Sequence, residues 1–298
     1  MGMGHDHGAL SVHRRALASA LALTASFTVV EIVGGFLTGS LAVLADAVHM
    51  LSDNVSLALA LAAVWLAARP ARAERTYGYK RAEVLAALAN GVTLVALAIW
   101  IFVEAIRRLE SPQTLLAGWM LAIAIVGIGV NLGAGAMLQR ARAGSINVEA
   151  AFRHVVADLL GSVGVAIAAM IVLATGWLRA DALVSIAIGV LILASSWSIL
   201  RDAAAILLEA APKGIEVQSV GRRLANAPGV VEVHDLHIWT ITSGFPALSA
   251  HVLVGRDEDC HQRRRELESL LGHEFGIAHT TLQVDHVGDA GLVELGRF

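Results

Sequence analysis

Six stretches of mostly apolar residues, at about 16–38, 41–67, 82–106, 115–138, 149–175 and 181–207, limit what this chain can become. A helix that crosses a bilayer needs roughly 20 such residues, since its backbone must satisfy its own hydrogen bonds where water is absent. Each stretch reaches that length, and the longer ones are accommodated by tilt or by extension beyond the bilayer. None shows the repeated two-residue alternation of a membrane barrel strand. The first stretch follows Arg14 and Arg15, as the core of a signal peptide would. Its apolar run continues to Leu37, well past the roughly 7–15 residues of such a core, so it reads as an uncleaved span.

Charge supports this division. Charged residues are 16% of the chain, against roughly 25% in a soluble globule, and 56% of residues are hydrophobic. The charge gathers beyond Pro212. The chain therefore divides into a flexible His-bearing segment at 1–14, a six-helix membrane domain at 15–208 and a soluble domain at 209–298. Arg14, Arg15, Arg69, Arg72, Arg75, Lys80, Arg81, Arg140 and Arg142 fall on one side of the bilayer, and Arg107, Arg108 and Arg179 on the other. The basic side is cytoplasmic, which places both termini in the cytoplasm and the protein in a bacterial-type inner membrane. A net charge of −3 gives no basic footprint for nucleic acid, and the single Cys260 excludes an intramolecular disulfide framework.

Ionisable residues at membrane depth are costly and mark ion or proton paths. The second stretch holds His49 and Asp53, and the fifth holds His154 and Asp158. Each pair is spaced i, i+4, so both members share one helical face. Together they offer two imidazoles and two carboxylates, a set suited to tetrahedral zinc. Cobalt and cadmium suit the same donors. On the predicted boundaries, His49 and Asp53 lie about 12–18 Å along the helix from its outer end. The other pair lies a comparable distance from its inner end, so the two meet near mid-membrane if their helices pack together. A proton relay uses the same residue types and stands as the rival reading. Asp46, one turn from His49, either leads ions outward or serves helix packing.

The segments LADAVHMLSDN and FRHVVADLLGSVGV resemble the second- and fifth-helix signatures of the cation diffusion facilitator family. TYGYKRAEVLAALANG resembles the family's approach to its third helix, and VHDLHIWTITSGFPALSAHV its cytoplasmic domain. The resemblance covers nearly the whole chain. It implies efflux of zinc or a related divalent ion in exchange for protons, by a homodimer, with His49, Asp53, His154 and Asp158 as the transport site. His on both helices resembles the zinc-preferring members. Many relatives carry a His between the second and third spans where a second metal binds. Lys80 stands at the matching position here, and a protonated ammonium offers no lone pair.

Metal and protons compete for such a constellation, because the empty site would hold repelling carboxylates. Exchange follows if the inward-open form favours zinc and the outward-open form favours protons. Glu31, Asn90 and Asn131 are expected to hydrogen-bond between helices, and Gly127, Gly129, Gly133 and Gly135 to allow close helix approach.

Beyond Lys213 the pattern predicts a helix at 215–226, strands at 230–241 and 247–255, a helix at 258–273 and a strand at 279–286. That order suggests a small α+β ferredoxin-like domain. Strand parity puts His234 and His237 on opposite faces. By resemblance, His234, His251, His261 and Asp285 are candidates for a regulatory zinc at a dimer interface, against a reading as surface or hydrogen-bonded side chains. Gln283 stands where some relatives have a further His. His237 and His279 read as structural, Cys260 as a bystander, and His5 and His7 either collect metal weakly or belong to a disordered terminus. No resident cofactor is expected. The partners are a divalent ion, protons, lipid and a second copy of the chain. A proton-coupled carrier of an organic substrate would pair a cavity with aromatics, yet no span combines the six Trp and two Tyr with the charges. A membrane-tethered metal sensor explains the tail but not four ligands at membrane depth. No nucleophile elbow, phosphate loop or HExxH motif supports an enzyme.

Overall fold

The computed structural model describes residues 6–67, 73–140 and 146–288. The side chains of 6–17, 140, 146–151, 153, 154 and several positions between 56 and 67 are outside that description, as are His5, Arg69, Arg72 and Arg142. Six long helices come first: α1 (Asp6–Thr38), α2 (Leu41–Ala67), α3 (Ala82–Glu110), α4 (Ala117–Arg140), α5 (Ile146–Thr175) and α6 (Arg179–Leu207). Then follow α7 (Val217–Ala225), β1 (Val230–Thr242), β2 (Phe245–Val254), α8 (Cys260–Phe275) and β3 (His279–His286). Among the described residues, five helices are long and apolar enough to cross a membrane: α1 from Ala18, α3, α4, α5 from Val155, and α6. The segment expected to be flexible over 1–14 is helical from Asp6 onward, since no proline interrupts its run into α1.

Two compact units are present, one of Met1–Leu61 with Ala89–Leu200 and one of Ala62–Leu88 with Arg201–Phe298. The first unit is helical. Its interior is built from small and medium side chains such as Ala42, Ala45, Ala98, Ile101, Met120, Ala168, Ala169 and Ile192. Large apolar side chains, including Val33, Phe36, Trp119, Ile125, Leu160 and Trp197, face outward. An exterior this apolar is what a lipid-facing surface requires, and small residues inside let helices approach closely. Gly127 is such a contact, for a Cβ there would lie 2.9 Å from Phe27 Cε1 and 3.1 Å from Ser162 Oγ. The same role expected of Gly129 fails, because nothing lies within 4 Å of its Cβ position. Gly133 and Gly135 meet only ordinary contacts, at 3.9 Å from Leu23 Cδ2 and 3.8 Å from Val155 Cγ1.

The turn between α1 and α2 passes through Gly39, at φ 70°. Ser40 then caps α2, accepting from the Val43 amide at 3.1 Å. A second cap comes from α6. Asp181, only 1% exposed, accepts from Ser40 Oγ at 2.6 Å, Leu41 N at 2.9 Å and Ala42 N at 3.2 Å. Its carboxylate thus meets the positive end of the α2 dipole. Arg108 from α3 stands 3.8 Å from the same carboxylate, donates to Gly39 O at 2.5 Å and to Glu104 at 3.0 Å.

In the second unit the sheet order is β1-β2-β3, with β1 and β2 antiparallel and β2 and β3 parallel. The predicted αββαβ order therefore holds. Val220 and Leu224 of α7 and Leu267 and Leu271 of α8 pack with Ile238, Leu248, Ala250 and Val252 of the sheet. The two helices are tied by Arg223 and Glu274, paired through both carboxylate oxygens. A bulge at Asp235, where φ is 53°, interrupts β1. His234 pairs with His251 and His237 with Ser249, so three steps on β1 match two on β2. Directly opposed residues share a face, and Ser249 and His251 already do. His234 and His237 accordingly lie on one face, which corrects the expectation from simple alternation; the bulge adds the residue that resets the parity.

Asp259 caps α8, accepting from His261 N at 2.9 Å and Gln262 N at 3.1 Å. The Gln262 amide bond is the main reason its carboxyl is held below the ordinary aspartate value. A lowered value means that the cap is in force above about pH 4 and is lost as pH falls through the lowered value. Protection of the His261 and Gln262 amides against exchange, taken relative to their intrinsic rates at each pH, is expected to fall on acidification in the wild type. In Asp259→Ala that protection should be low at neutral pH already and show no such step.

Candidate metal centre

Two helices of the first unit build the centre. On α2, His49 and Asp53 are one turn apart and project from the same face. On α5, Asp158 meets them, with His49 Nε2 and Asp158 Oδ1 3.6 Å apart. One ligand atom from each of the three lies within 4.8 Å of the others, the only such group of three or more among the described residues. Asp158 is 4% exposed, whereas His49 and Asp53 are half-buried, so the cluster is shielded yet reachable. Neutral imidazole and carboxylate oxygen are ordinary zinc donors. The backbone of residue 154 belongs to α5, one turn before Asp158. The side chain of His154 lies outside the described residues.

Asp46 lies on α2, about 4–5 Å along the axis from His49 at 1.5 Å per residue. Its Oδ2 accepts from Ser162 Oγ of α5 at 3.1 Å, and that oxygen accepts from Asn131 Nδ2 of α4 at 3.3 Å. Glu31 of α1 is buried in the same place. The expected interhelical role of Asn131 is thereby met. Ser162 was not singled out in the sequence, because one serine among several in apolar helices carries no signal until its partner is known.

Gly161 lets Asp46 fit, since a Cβ there would overlap Asp46 Oδ1. Gly161→Ala should therefore push α2 from α5, at an overpacking cost of about 1–3 kcal/mol. Gly129→Ala meets open space and should leave thermal stability unchanged or slightly raised, as alanine is the better helix former. Comparing the melting of the two variants checks this; equal behaviour would contradict the packing.

In the tail, His234 and His251 stack edge to face with ring centroids 5.2 Å apart. Gln283 pairs with His251 across β2 and β3, and its amide donates to Asp285 at 2.8 Å. His261 lies in the first turn of α8, which packs on the other face of the sheet. Within one chain, then, His234, His251, His261 and Asp285 do not converge on one point. Asp235, which the sequence did not suggest, stands between two histidines: 2.9 Å from His237 Nε2 and 4.0 Å from His251 Nε2. The bond to His237 holds the Asp235 carboxyl below its ordinary value. His279 contacts Tyr77 and Phe245, and the Lys80 ammonium sits 3.6 Å over the Phe245 ring. Cys260 Sγ lies 3.5 Å from His286 Nε2.

An apolar helical unit with His and Asp side chains gathered inside it, followed by a small α+β domain, defines a multi-pass membrane protein of the cation-transporting class. Residues 17–208 match the cation efflux transmembrane domain, and residues 212–287 the cytoplasmic domain of cation efflux proteins. The chain belongs to the cation diffusion facilitator family, whose members are transporters and not enzymes. It is 41% identical to the metal cation efflux system protein CzcD of Cupriavidus metallidurans, over 96% of this chain and 90% of that one. It is 38% identical to the cadmium, cobalt and zinc/H(+)-K(+) antiporter of Bacillus subtilis, over 95% and 92%. With zinc transporter ZitB of Escherichia coli it shares 39% identity, over 95% and 93%.

Proposed function

We propose that this protein exports zinc from the cytoplasm in exchange for protons, through a site formed by His49, Asp53, His154 and Asp158. The observation that carries this reading is the convergence of His49, Asp53 and Asp158 from two helices inside an apolar unit. A His2Asp2 set neutralises a divalent charge and favours tetrahedral coordination. The names of the relatives, which include zinc, cadmium and cobalt, fit the same donors, and the Bacillus subtilis relative is named as an antiporter that uses protons. Cadmium and cobalt are therefore secondary substrates.

In this reading α2 is the sixth span. The membrane domain is 15–208 and the soluble domain 209–298, with both termini on the cytoplasmic side of the inner membrane. The chain works as a homodimer joined through the soluble domain. His234, His251, His261 and Asp285 then bind regulatory zinc only with ligands from the second copy, in keeping with their separation within one chain. Lys80, drawn over Phe245, is not a ligand.

The test is uptake of radioactive zinc into inside-out membrane vesicles carrying an imposed proton gradient. Uptake that needs the gradient, and stops when an ionophore collapses it, supports exchange. Uptake indifferent to the gradient would remove the proton half of the reading, and none at all would remove the zinc half.

A further inference from the structure

Burial along α2 is uneven. Every residue from Ser40 to Ala47 is buried, a run that covers about 10 Å of the helix axis. Further along, His49 and Asp53 are half-buried and Leu51 is 39% exposed. A helix that edged an open path would bury one stripe of its circumference, whereas these first two turns are covered all round. In the proposed topology they lie between the metal ligands and the outer face. An ion held by His49, Asp53 and Asp158 therefore leaves outward after this segment is uncovered.

The cover is held by α3 and α6, which carry none of the four proposed ligands. Leu41 packs in one small apolar cluster with Ala105 and Leu109 of α3 and Ala182 and Ile186 of α6. Around that cluster the ties are polar. Asp181 of α6 accepts from Ser40, Leu41 and Ala42, and Arg108 of α3 donates to Gly39 O and to Glu104. The side chains of Arg108 and Glu104 are 15% and 18% exposed, so water stands at the edge of the network. A joint of this kind can be released and remade. If α2 shifts, each bond is exchanged for one to water at modest net cost, and the charged groups regain hydration. When α2 returns, the fixed acceptors of Asp181 restore its position.

We propose that the Asp181–Arg108 network is the outer latch of the transport path, closed in this structure and released when the metal centre opens outward. The inference rests on the proposed zinc/proton exchange and locates a gate for it. Alternating access needs a site sealed from one side while it is reached from the other, and the burial profile of α2 has that form. Asp181 and Arg108 are positioning residues in this account, since neither touches the ion.

The experiment locks the joint. Leu41→Cys and Ala182→Cys are combined in a full-length chain carrying Cys260→Ser, and the pair is oxidised to a disulfide. Zinc binding in detergent and zinc uptake into inside-out vesicles are measured before oxidation, after it, and after reduction. The expected result is loss of uptake with zinc binding retained, and recovery of uptake on reduction. Uptake at the unbridged rate after bridging would overturn the proposal and leave Asp181 a static helix cap. Loss of zinc binding on bridging would also overturn it, since freedom at the joint would then serve to form the site. Absence of uptake in the wild type would remove the transport reading, and the latch with it. Should the pair fail to fold or to bridge, Ser40→Cys in the same background decides, probed in right-side-out vesicles with a membrane-impermeant maleimide. Labelling that appears during zinc/proton turnover, and is absent when Asp158→Ala is added, supports the latch. Labelling that is never seen, or is the same with and without turnover, refutes it.

Discussion

Asp158→Ala is expected to lower the affinity of the purified protein for zinc by more than about 100-fold, and Asp53→Ala to do the same. Residues that merely orient a metal ligand cost about 10–100-fold when removed, so the loss of a ligand and its charge should exceed that range. A factor of 100 corresponds to about 2.8 kcal/mol. Asp158 should be the more severe, because it is almost fully buried and its neighbours His49 and Asp53 come from the other helix. Removing it leaves the proposed His154 as the one ligand that α5 still offers. Titration calorimetry of the membrane site, with the soluble-domain histidines His234 and His251 replaced, reads this directly. Zinc binding at wild-type strength in both variants would show that the cluster is only a polar helix contact.

The second large effect is expected away from the metal. Asp181→Ala takes away a carboxylate that accepts from one hydroxyl and two amides at the start of α2, and leaves Arg108 beside an apolar methyl group. Arg108 keeps Glu104 as a partner, so the cost is that of the lost bonds to the buried carboxylate at the helix start, about 3–5 kcal/mol in all. For the 190 or so residues of a membrane domain of this size, that predicts a fall in melting temperature on the order of 10 °C. Asp181→Asn retains a hydrogen-bond acceptor but not the charge, so it should fall between alanine and wild type. Thermal unfolding in detergent, followed by loss of helical circular dichroism, measures the order. A melting temperature in Asp181→Ala equal to that of the wild type would show that Ser40 alone suffices to cap the helix.

The helices and the His–Asp cluster were legible because their signals are local. An apolar run of 20 residues reports a span, and an i, i+4 pair reports a shared face, with no knowledge of what lies opposite. That reasoning joined His49 and Asp53 correctly, and placed Asp158 on the helix that meets them. It failed wherever the partner is distant in the chain. Asp181 caps a helix about 140 residues earlier, and nothing in its own neighbourhood indicates an N-cap. Gly127 and Gly129 look alike in sequence, yet only Gly127 faces a neighbouring helix. Regular pleating would put His234 and His237 on opposite faces, and a single bulge at Asp235 brings them onto one. Asp46 was visible as a buried charge, but its partner Ser162 comes from another helix, more than a hundred residues on.

Zinc passing through the His–Asp cluster while protons pass the other way requires two linked fluxes. The most direct measurement records both fluxes together, in proteoliposomes that enclose a zinc indicator and a proton indicator. For the wild type, external zinc should enter while protons leave, with linked initial rates. For Asp158→Ala reconstituted at the same density, both signals should vanish together. Zinc entry at the wild-type rate in Asp158→Ala, or zinc entry in the wild type without proton movement, would contradict the account.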